Sequence, residues 1–501
     1  MRSEDASVEV ERLTGPFPGR ALLGLVLGFV LAALLGWLWI PTPDTLQQLG
    51  KVGEQMPLPL SGTKPSFLPL DKPKGEFRAF VVGASLTYGL PYEPEVVASY
   101  ATLLSVAYRK VLGRTDIHIR PEARPAWDSG QILEKAEQLL VYHPDLILVV
   151  LGTNEYVNRI VYGKAMLPEG IRARIEEAAT RSRFLWQRLG EAVLGSKGGS
   201  GGGGDFAKLV RSTSPGHPAM GGLPIGPRDR RLLLSRMQQG IRRLHRICKK
   251  AGTRLVVLKS LQDLRSFPPW CNDLTGTIPE VDALFVQVWN DPRPALLPRL
   301  DALLERYPDR PDLHHARGRL LLAAGKPEDA RLEFQKGLDL DLAPLHHTSE
   351  VMEAIDEVCR QEGIRLLDLN DALADEHGIT GGARFLDAAH VDLEGHEELA
   401  LYLARNLAGE ELPALPADYE ARFRTAIRDH LEREVSADTK KTDRARIAFN
   451  DAKYFLFFGN FRDAIPYFER CLLDLPEGET RRLYEHALKK LGVPGAGGRK
   501  R

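Results

Sequence analysis

The sequence predicts an α/β fold, a parallel sheet with helices on both faces. Three observations carry that reading. Short apolar runs recur at Phe77–Val82 (FRAFVV), Asp145–Leu151 (DLILVVL) and Arg254–Leu258 (RLVVL). Such runs, bounded by turn residues, mark strands buried on both faces. Segments with helix starts and stops alternate with them, which argues a parallel sheet. The first and third runs then end in Gly83-Ala84-Ser85 and Gly152-Thr153-Asn154, at the strand ends where open α/β sheets bind ligands.

The chain has 501 residues, more than one ordinary domain. Residues 1–20 are polar, with mixed charge, and read as a cytoplasmic segment. Residues 21–40 hold no charged side chain and end in Trp37-Leu38-Trp39-Ile40. About twenty apolar residues span a hydrocarbon core, and tryptophans suit its interface. A cleaved signal peptide fits less well, because Glu4, Asp5, Glu9 and Glu11 precede the run and no small-residue cleavage site closes it. Arg2, Arg12 and Arg20 before the run, against Lys51 after it, orient the expected anchor with the bulk of the chain outside the cytoplasm, in the periplasm or at the cell surface. Residues 41–76 read as a proline- and lysine-rich tether.

Residues 77–410 carry the alternating pattern. Strand one is Phe77–Val82. A helix from Glu95 to Leu112 ends at Gly113. Asp116–Arg120 is strand two. Asp128 or Ser129 caps a helix to Tyr142, which Pro144 stops before strand three, Asp145–Leu151. Glu169–Leu194 reads as helix, and 195–227, with the glycines 198–204, as a flexible insertion. A helix Arg228–Lys250 leads to strand four, Arg254–Leu258. A helix Ser349–Arg360 leads to strand five, Ile364–Leu369, and a helix Gly395–Leu407 closes the domain.

Residues 292–344 interrupt this pattern with helices. Gly318, Gly325, Ala330 and Phe334 fit the spacing of one tetratricopeptide (TPR) repeat, in which small residues let two helices approach and the phenylalanine fills the gap. Phe455, Gly459, Ala464, Phe468 and Pro476 repeat the spacing within a C-terminal helical region, 411–493, ahead of a basic tail, 494–501. Ordinary helical hairpins are the alternative.

Formal net charge is zero, which gives no electrostatic case for nucleic acid. Cys248, Cys271, Cys359 and Cys471 form no C-x-x-C pair, so a zinc or redox motif is not expected. No metal cluster or phosphate loop is evident, and no cofactor is implied.

The strand ends together carry a chemistry. Ser85 follows strand one, Asn154 strand three, and Asp387 and His390 strand five. Serine is a weak nucleophile until a base takes its proton, and the imidazole of His390 can do so near neutral pH. Asp387 can orient that ring and stabilise its cation. The Asn154 amide, the Ser85 N–H and an N–H from 123–130 can receive the oxyanion of a tetrahedral intermediate. Each residue also has a structural reading. Ser85 could cap the next helix, Asn154 could shape a turn, and His390 could lie on the surface like His377 or His396. Asp263 could line the cleft or cap a turn, and Glu155 could support the site or be solvated.

Gly83-Ala84-Ser85, Gly152-Thr153-Asn154 and Asp387-x-x-His390 resemble the first, third and fifth blocks of the SGNH (GDSL-like) hydrolases. The resemblance implies a flavodoxin-like three-layer α/β/α fold over 77–410 and hydrolysis, or transfer, of an ester-linked acyl group. It implies Ser85, His390 and Asp387 as the catalytic set. Ser85, Ala126 and Asn154 would form the oxyanion hole, with Gly83 and Gly152 in support. Two residues depart from the family pattern. Ala84 stands where Asp is usual, and Ala126 matches a block-two glycine, with Gly130 as rival. The anchor and TPR-like repeats resemble a bacterial subgroup of that family. The expected function is a membrane-anchored serine esterase, or an O-acyltransferase with the same triad. A TPR-based interaction scaffold with a vestigial site, binding a protein partner, is the alternative of another class. Acylated cell-surface glycan, peptidoglycan and lipid esters all remain open as substrates.

Overall fold

Among the described residues, five parallel strands form one sheet in the order β2-β1-β3-β4-β5. They are β1 (Phe77–Gly83), β2 (Ile117–Ala123), β3 (Leu146–Leu151), β4 (Arg254–Lys259) and β5 (Arg365–Asp368). This is the flavodoxin-like order, whose switch point lies between β1 and β3. In this computed structural model the described residues are 68–92, 95–156, 227–269, 278–341, 344, 347–435, 445, 448–449, 452 and 461–491. The expected anchor 21–40, the helix 169–194, the glycine-rich insertion and the repeat positions Phe455 and Gly459 lie outside them. Among the described residues no helix is long and apolar enough to cross a membrane.

The inner strands are the continuous apolar runs. Every residue of β3 is buried, as is all of β1 after Phe77. Edge strand β5 is half-buried throughout and reads RLLD. The other edge, β2, runs on through Pro121 to Ala123, beyond the Arg120 at which the sequence predicts its end. Proline removes a ladder donor, and an edge strand tolerates that on its open side.

The described helices before β4 are α1 (Ser85–Tyr88), α2 (Glu95–Ala98), α3 (Tyr100–Leu112), α4 (Ser129–Gln138) and α5 (Pro227–Ala251). The expected helix 95–112 is thus two pieces, because the Ser99 side chain accepts from the Ala101 N–H and restarts the chain as α3. A capping box of Asp128 and Gln131 starts α4. Between β4 and β5 lie α6 (Pro279–Asn290), α7 (Leu297–Arg306), α8 (Pro311–Ala323) and α9 (Pro327–Asp339), followed by α10 (Ser349–Glu362), the helix that leads to β5. After β5 come α11 (Leu393–Leu407), α12 (Tyr419–Glu434), α13 (Phe461–Leu472) and α14 (Glu479–Lys490).

Helices α3, α11 and α12 pack as one layer, and α4, α5 and α10 as another. Right-handed crossovers to either side of β1 put those layers on opposite faces of the sheet. The α8–α9 pair packs closely. A Cβ on Gly318 would fall 2.6 Å from the Phe334 ring, and one on Gly337 would fall 2.9 Å from the Pro311 carbonyl oxygen. Both positions therefore require glycine for the approach of the two helices.

Candidate active site

Ser85 stands at the first position of α1, directly beyond β1. The cap residue is Ala84, and no side chain caps the helix, so Ser85 does not serve that role. Its hydroxyl is not held by a hydrogen bond, and its N–H, in the first turn, has no intrahelical acceptor. The turn is tight. A Cβ on Gly83 would lie 2.1 Å from Thr87 Oγ1, whose hydroxyl pairs with the Tyr100 hydroxyl at 2.8 Å.

Asp387 and His390 share one turn after β5. His390 Nδ1 lies 2.6 Å from Asp387 Oδ2. The other carboxylate oxygen accepts the Ala389 and His390 N–H groups at 2.8 and 2.7 Å. Burial pushes the Asp387 carboxyl up, but the facing imidazole and these bonds outweigh it and hold the carboxyl below its usual range. With Nδ1–H given to the carboxylate, Nε2 is the basic nitrogen. It is buried and has no hydrogen-bond partner. Ala389, between the two residues, lines the same pocket as Ser85, Gly152 and Asn154. No hydrogen bond joins Ser85 to His390. Such bonds are often long in unliganded sites and tighten around substrate.

The third side comes from β3 and the loop after β2. Asn154 is buried, and its amide donates to the Trp127 carbonyl at 3.0 Å. The amide's second N–H is left over. Ala126 has φ 63°, the left-handed conformation that normally calls for glycine. Its N–H makes no backbone hydrogen bond. Gly130, its rival, lies exposed within α4 and is not among the residues lining the pocket at Ser85. Gly152 has φ 109°, and a Cβ there would lie 2.6 Å from the Met352 methyl.

Glu155 is buried rather than solvated. It accepts from Ser129 Oγ at 2.5 Å and from the Gly152 N–H at 3.3 Å, tying the end of β3 to the start of α4. Burial, aided by Asp128, pushes its carboxyl up to about 7. Asp263 caps a turn, accepting from the Arg265 and Ser266 N–H groups, and is not among the residues lining the pocket at Ser85. Burial raises it to about 7 as well. His377 pairs with Glu328 at a half-exposed position, and His396 is wholly buried beside Tyr92 and Tyr100.

Sequence reasoning passed over three participants. Trp127 lines the pocket and anchors Asn154 through its backbone, which no side-chain pattern reveals. Ser129 was visible only as a cap. Ser260, bonded to Thr153 Oγ1 at 2.5 Å, also lines the pocket, and its place immediately after β4 was the available signal. Among the described residues no cluster of side chains could hold a metal ion.

Fold and site together define a doubly wound α/β protein with a free serine hydroxyl, a carboxylate-oriented histidine and unpaired N–H donors at one sheet edge. No family model and no curated protein matches the sequence. Solved structures do. A GDSL-like lipase from Bacteroides thetaiotaomicron is similar at 11% identity and TM-score 0.29, over 67% of this chain and 90% of that one. A catalytic mutant of an acetylxylan esterase from Geobacillus stearothermophilus has 10% identity and TM-score 0.32, over 68% and 97%. Phospholipase A1 from Streptomyces albidoflavus has 11% identity and TM-score 0.29, over 67% and 100%. Likenesses at such scores carry no weight for this chain's function, which is read from its own side chains.

Proposed function

We propose that the chain is a serine esterase acting on O-acyl esters through Ser85, His390 and Asp387. The observation that carries this reading is the His390–Asp387 pair at 2.6 Å, with Nε2 buried and unpaired, on a turn that shares a pocket with Ser85. Ser85 Oγ attacks the ester carbonyl carbon while His390 Nε2 takes its proton, and Asp387 stabilises the imidazolium. The Ser85 and Ala126 N–H groups and the free Asn154 N–H receive the oxyanion. Collapse expels the alcohol, which takes the proton from His390. Water then repeats the sequence on the acyl-enzyme and frees the acid.

The cavity is about 10 Å³, room for roughly one water-sized group. So small a space disfavours long acyl chains, and acetyl is the first acyl group to test. Thr153 and Ser260 give one wall hydroxyl groups, which suits a hydroxylated leaving group such as a sugar. The same wall favours a second reading, an O-acyltransferase that passes the acyl group to a sugar hydroxyl. Residues 21–40 would hold the enzyme on a membrane with its domain outside the cytoplasm, and the TPR-like helix pairs are proposed as repeats of that kind.

The test is hydrolysis of p-nitrophenyl acetate, butyrate and octanoate by the wild type and Ser85→Ala. Turnover that falls from acetate to octanoate and vanishes in the variant supports the proposal. Equal turnover by the variant refutes it. Acetylated xylo-oligosaccharide as acceptor product, formed when the sugar is added, marks the transferase.

A further inference from the structure

The segment Asp375–Val391 contains no helix or strand, yet it delivers both Asp387 and His390. Catalytic groups need positions held within about 0.5 Å by their surroundings. The turn itself is closed by the Leu386 N–H on the His390 carbonyl and by an antiparallel bridge between Phe385 and Val391. The segment after β4 holds the loop at several points: the Asp263 and Leu264 N–H groups donate to the Ala388 and Thr380 carbonyls at 2.8 and 3.3 Å, Ser266 Oγ accepts the Gly382 N–H at 2.7 Å, and Phe385, Leu386 and Val391 lie in the main core.

Two further supports come from helices outside the sheet layers. Ile379 is buried in a small apolar cluster separate from the main core, formed by Leu321 of α8, by Ala330, Phe334 and Leu338 of α9, and by Leu264. Arg470 of α13 donates to the Ala383 carbonyl at 2.8 Å. Helix α13 is itself fixed on the insertion, where Arg462 meets Asp282 at 2.7 Å and Asp312 at 2.9 Å. The helix pair with TPR-like spacing thus spends its inner face on the approach to the His390 turn, and the C-terminal helix adds a second hold four residues before Asp387.

We propose that the α8–α9 hairpin and α13 are an intramolecular clamp on the Asp387–His390 turn, with Ile379 and Arg470 as positioning residues. The proposal rests on the reading of His390 as the base. It gives the insertion a reason to lie between β4 and β5: it sits beside the loop that follows β5. A small displacement of a catalytic group costs about a hundredfold in rate, so loosening the clamp is read in kcat.

The experiment uses the full chain with Ile379→Ala, Arg470→Ala, Arg470→Lys and Leu332→Ala, the last altering an exposed side chain on α9. Hydrolysis of p-nitrophenyl acetate is measured against pH, and amide hydrogen exchange is followed across 383–391. We expect kcat to fall about tenfold in Ile379→Ala with KM little changed, and the acid limb of its pH profile to move. Arg470→Ala should lose several-fold in kcat, and Arg470→Lys should recover most of it. Exchange across 385–391 should quicken in both alanine variants and not in Leu332→Ala. Wild-type kcat, pH profile and exchange in Ile379→Ala and Arg470→Ala would overturn the clamp, as would a lowered Tm with those three readouts unchanged. If the wild type does not turn over, or turns over equally with Ser85→Ala, the esterase reading fails. Exchange alone then decides the clamp.

Discussion

His390 Nδ1 and Asp387 Oδ2 lie 2.6 Å apart, while the other oxygen of the same carboxylate holds two backbone N–H groups of their turn. One side chain thus fixes both the turn and the tautomer of the ring. In Asp387→Asn the side chain can keep the turn bonds but presents an N–H to the imidazole, so the wrong nitrogen becomes basic. Turnover of p-nitrophenyl acetate should fall about 10⁴-fold, with near-native circular dichroism. A loss under tenfold would remove Asp387 from the mechanism.

Asn154 offers one N–H to the Trp127 carbonyl and keeps one. Asn154→Ala should lower kcat about 10²- to 10³-fold and change KM little, because the lost bond forms with the oxyanion and not with the ground-state ester. Equal effects on kcat and on dissociation of a product alcohol would instead mark a binding residue.

Ala126 bears a left-handed backbone at φ 63°. Ala126→Gly should keep activity and leave the Tm unchanged or raised, since relief of roughly 1 kcal/mol of strain offsets the added chain entropy. Ala126→Val should lose activity and unfold earlier. Thermal melts and steady-state rates check both variants.

Glu155 gives stability a pH slope. Its folded-state carboxyl is raised from 4.5 to about 7. Its contribution is therefore complete below about pH 4.5, where both states are protonated, and is lost as pH rises through about 7. The loss is worth roughly 3 kcal/mol. Asp263, also raised to about 7, acts in the same direction. His396, which burial holds down at about 3, acts in the opposite direction, so the test is a difference: between pH 4.5 and 7.5 the stability of the wild type minus that of Glu155→Gln, from urea unfolding, should fall with pH by roughly 3 kcal/mol. An equal slope in the variant would show that Glu155 is not charged with difficulty in the folded chain.

The sheet was legible because its central strands are buried on both faces, and burial on both faces writes itself as FVV, LILVVL and LVVL. Strand two was read short because Pro121 looks like a stop unless the strand is known to be an edge. Strand order alone brought Ser85 and Asn154 to one edge, and the three-residue spacing of Asp387 and His390 suggested their pairing. The oxyanion side was harder to read. The useful property of Ala126 is a dihedral angle, that of Trp127 a carbonyl, and that of Glu155 a partner twenty-six residues away. None of these is a residue-type pattern. The hold of the insertion on Ile379 was hidden for the same reason, since an isoleucine in a glycine-rich loop has no period to betray what it packs against.

The central claim is an activated nucleophile at Ser85. The full chain, treated with a fluorophosphonate and digested for mass mapping, tests it directly. The account predicts one adduct, on the peptide holding Ser85, slowed strongly by Asp387→Asn or His390→Ala and absent in Ser85→Ala. A folded protein that stays unlabelled, or carries its adduct on another serine, would contradict it.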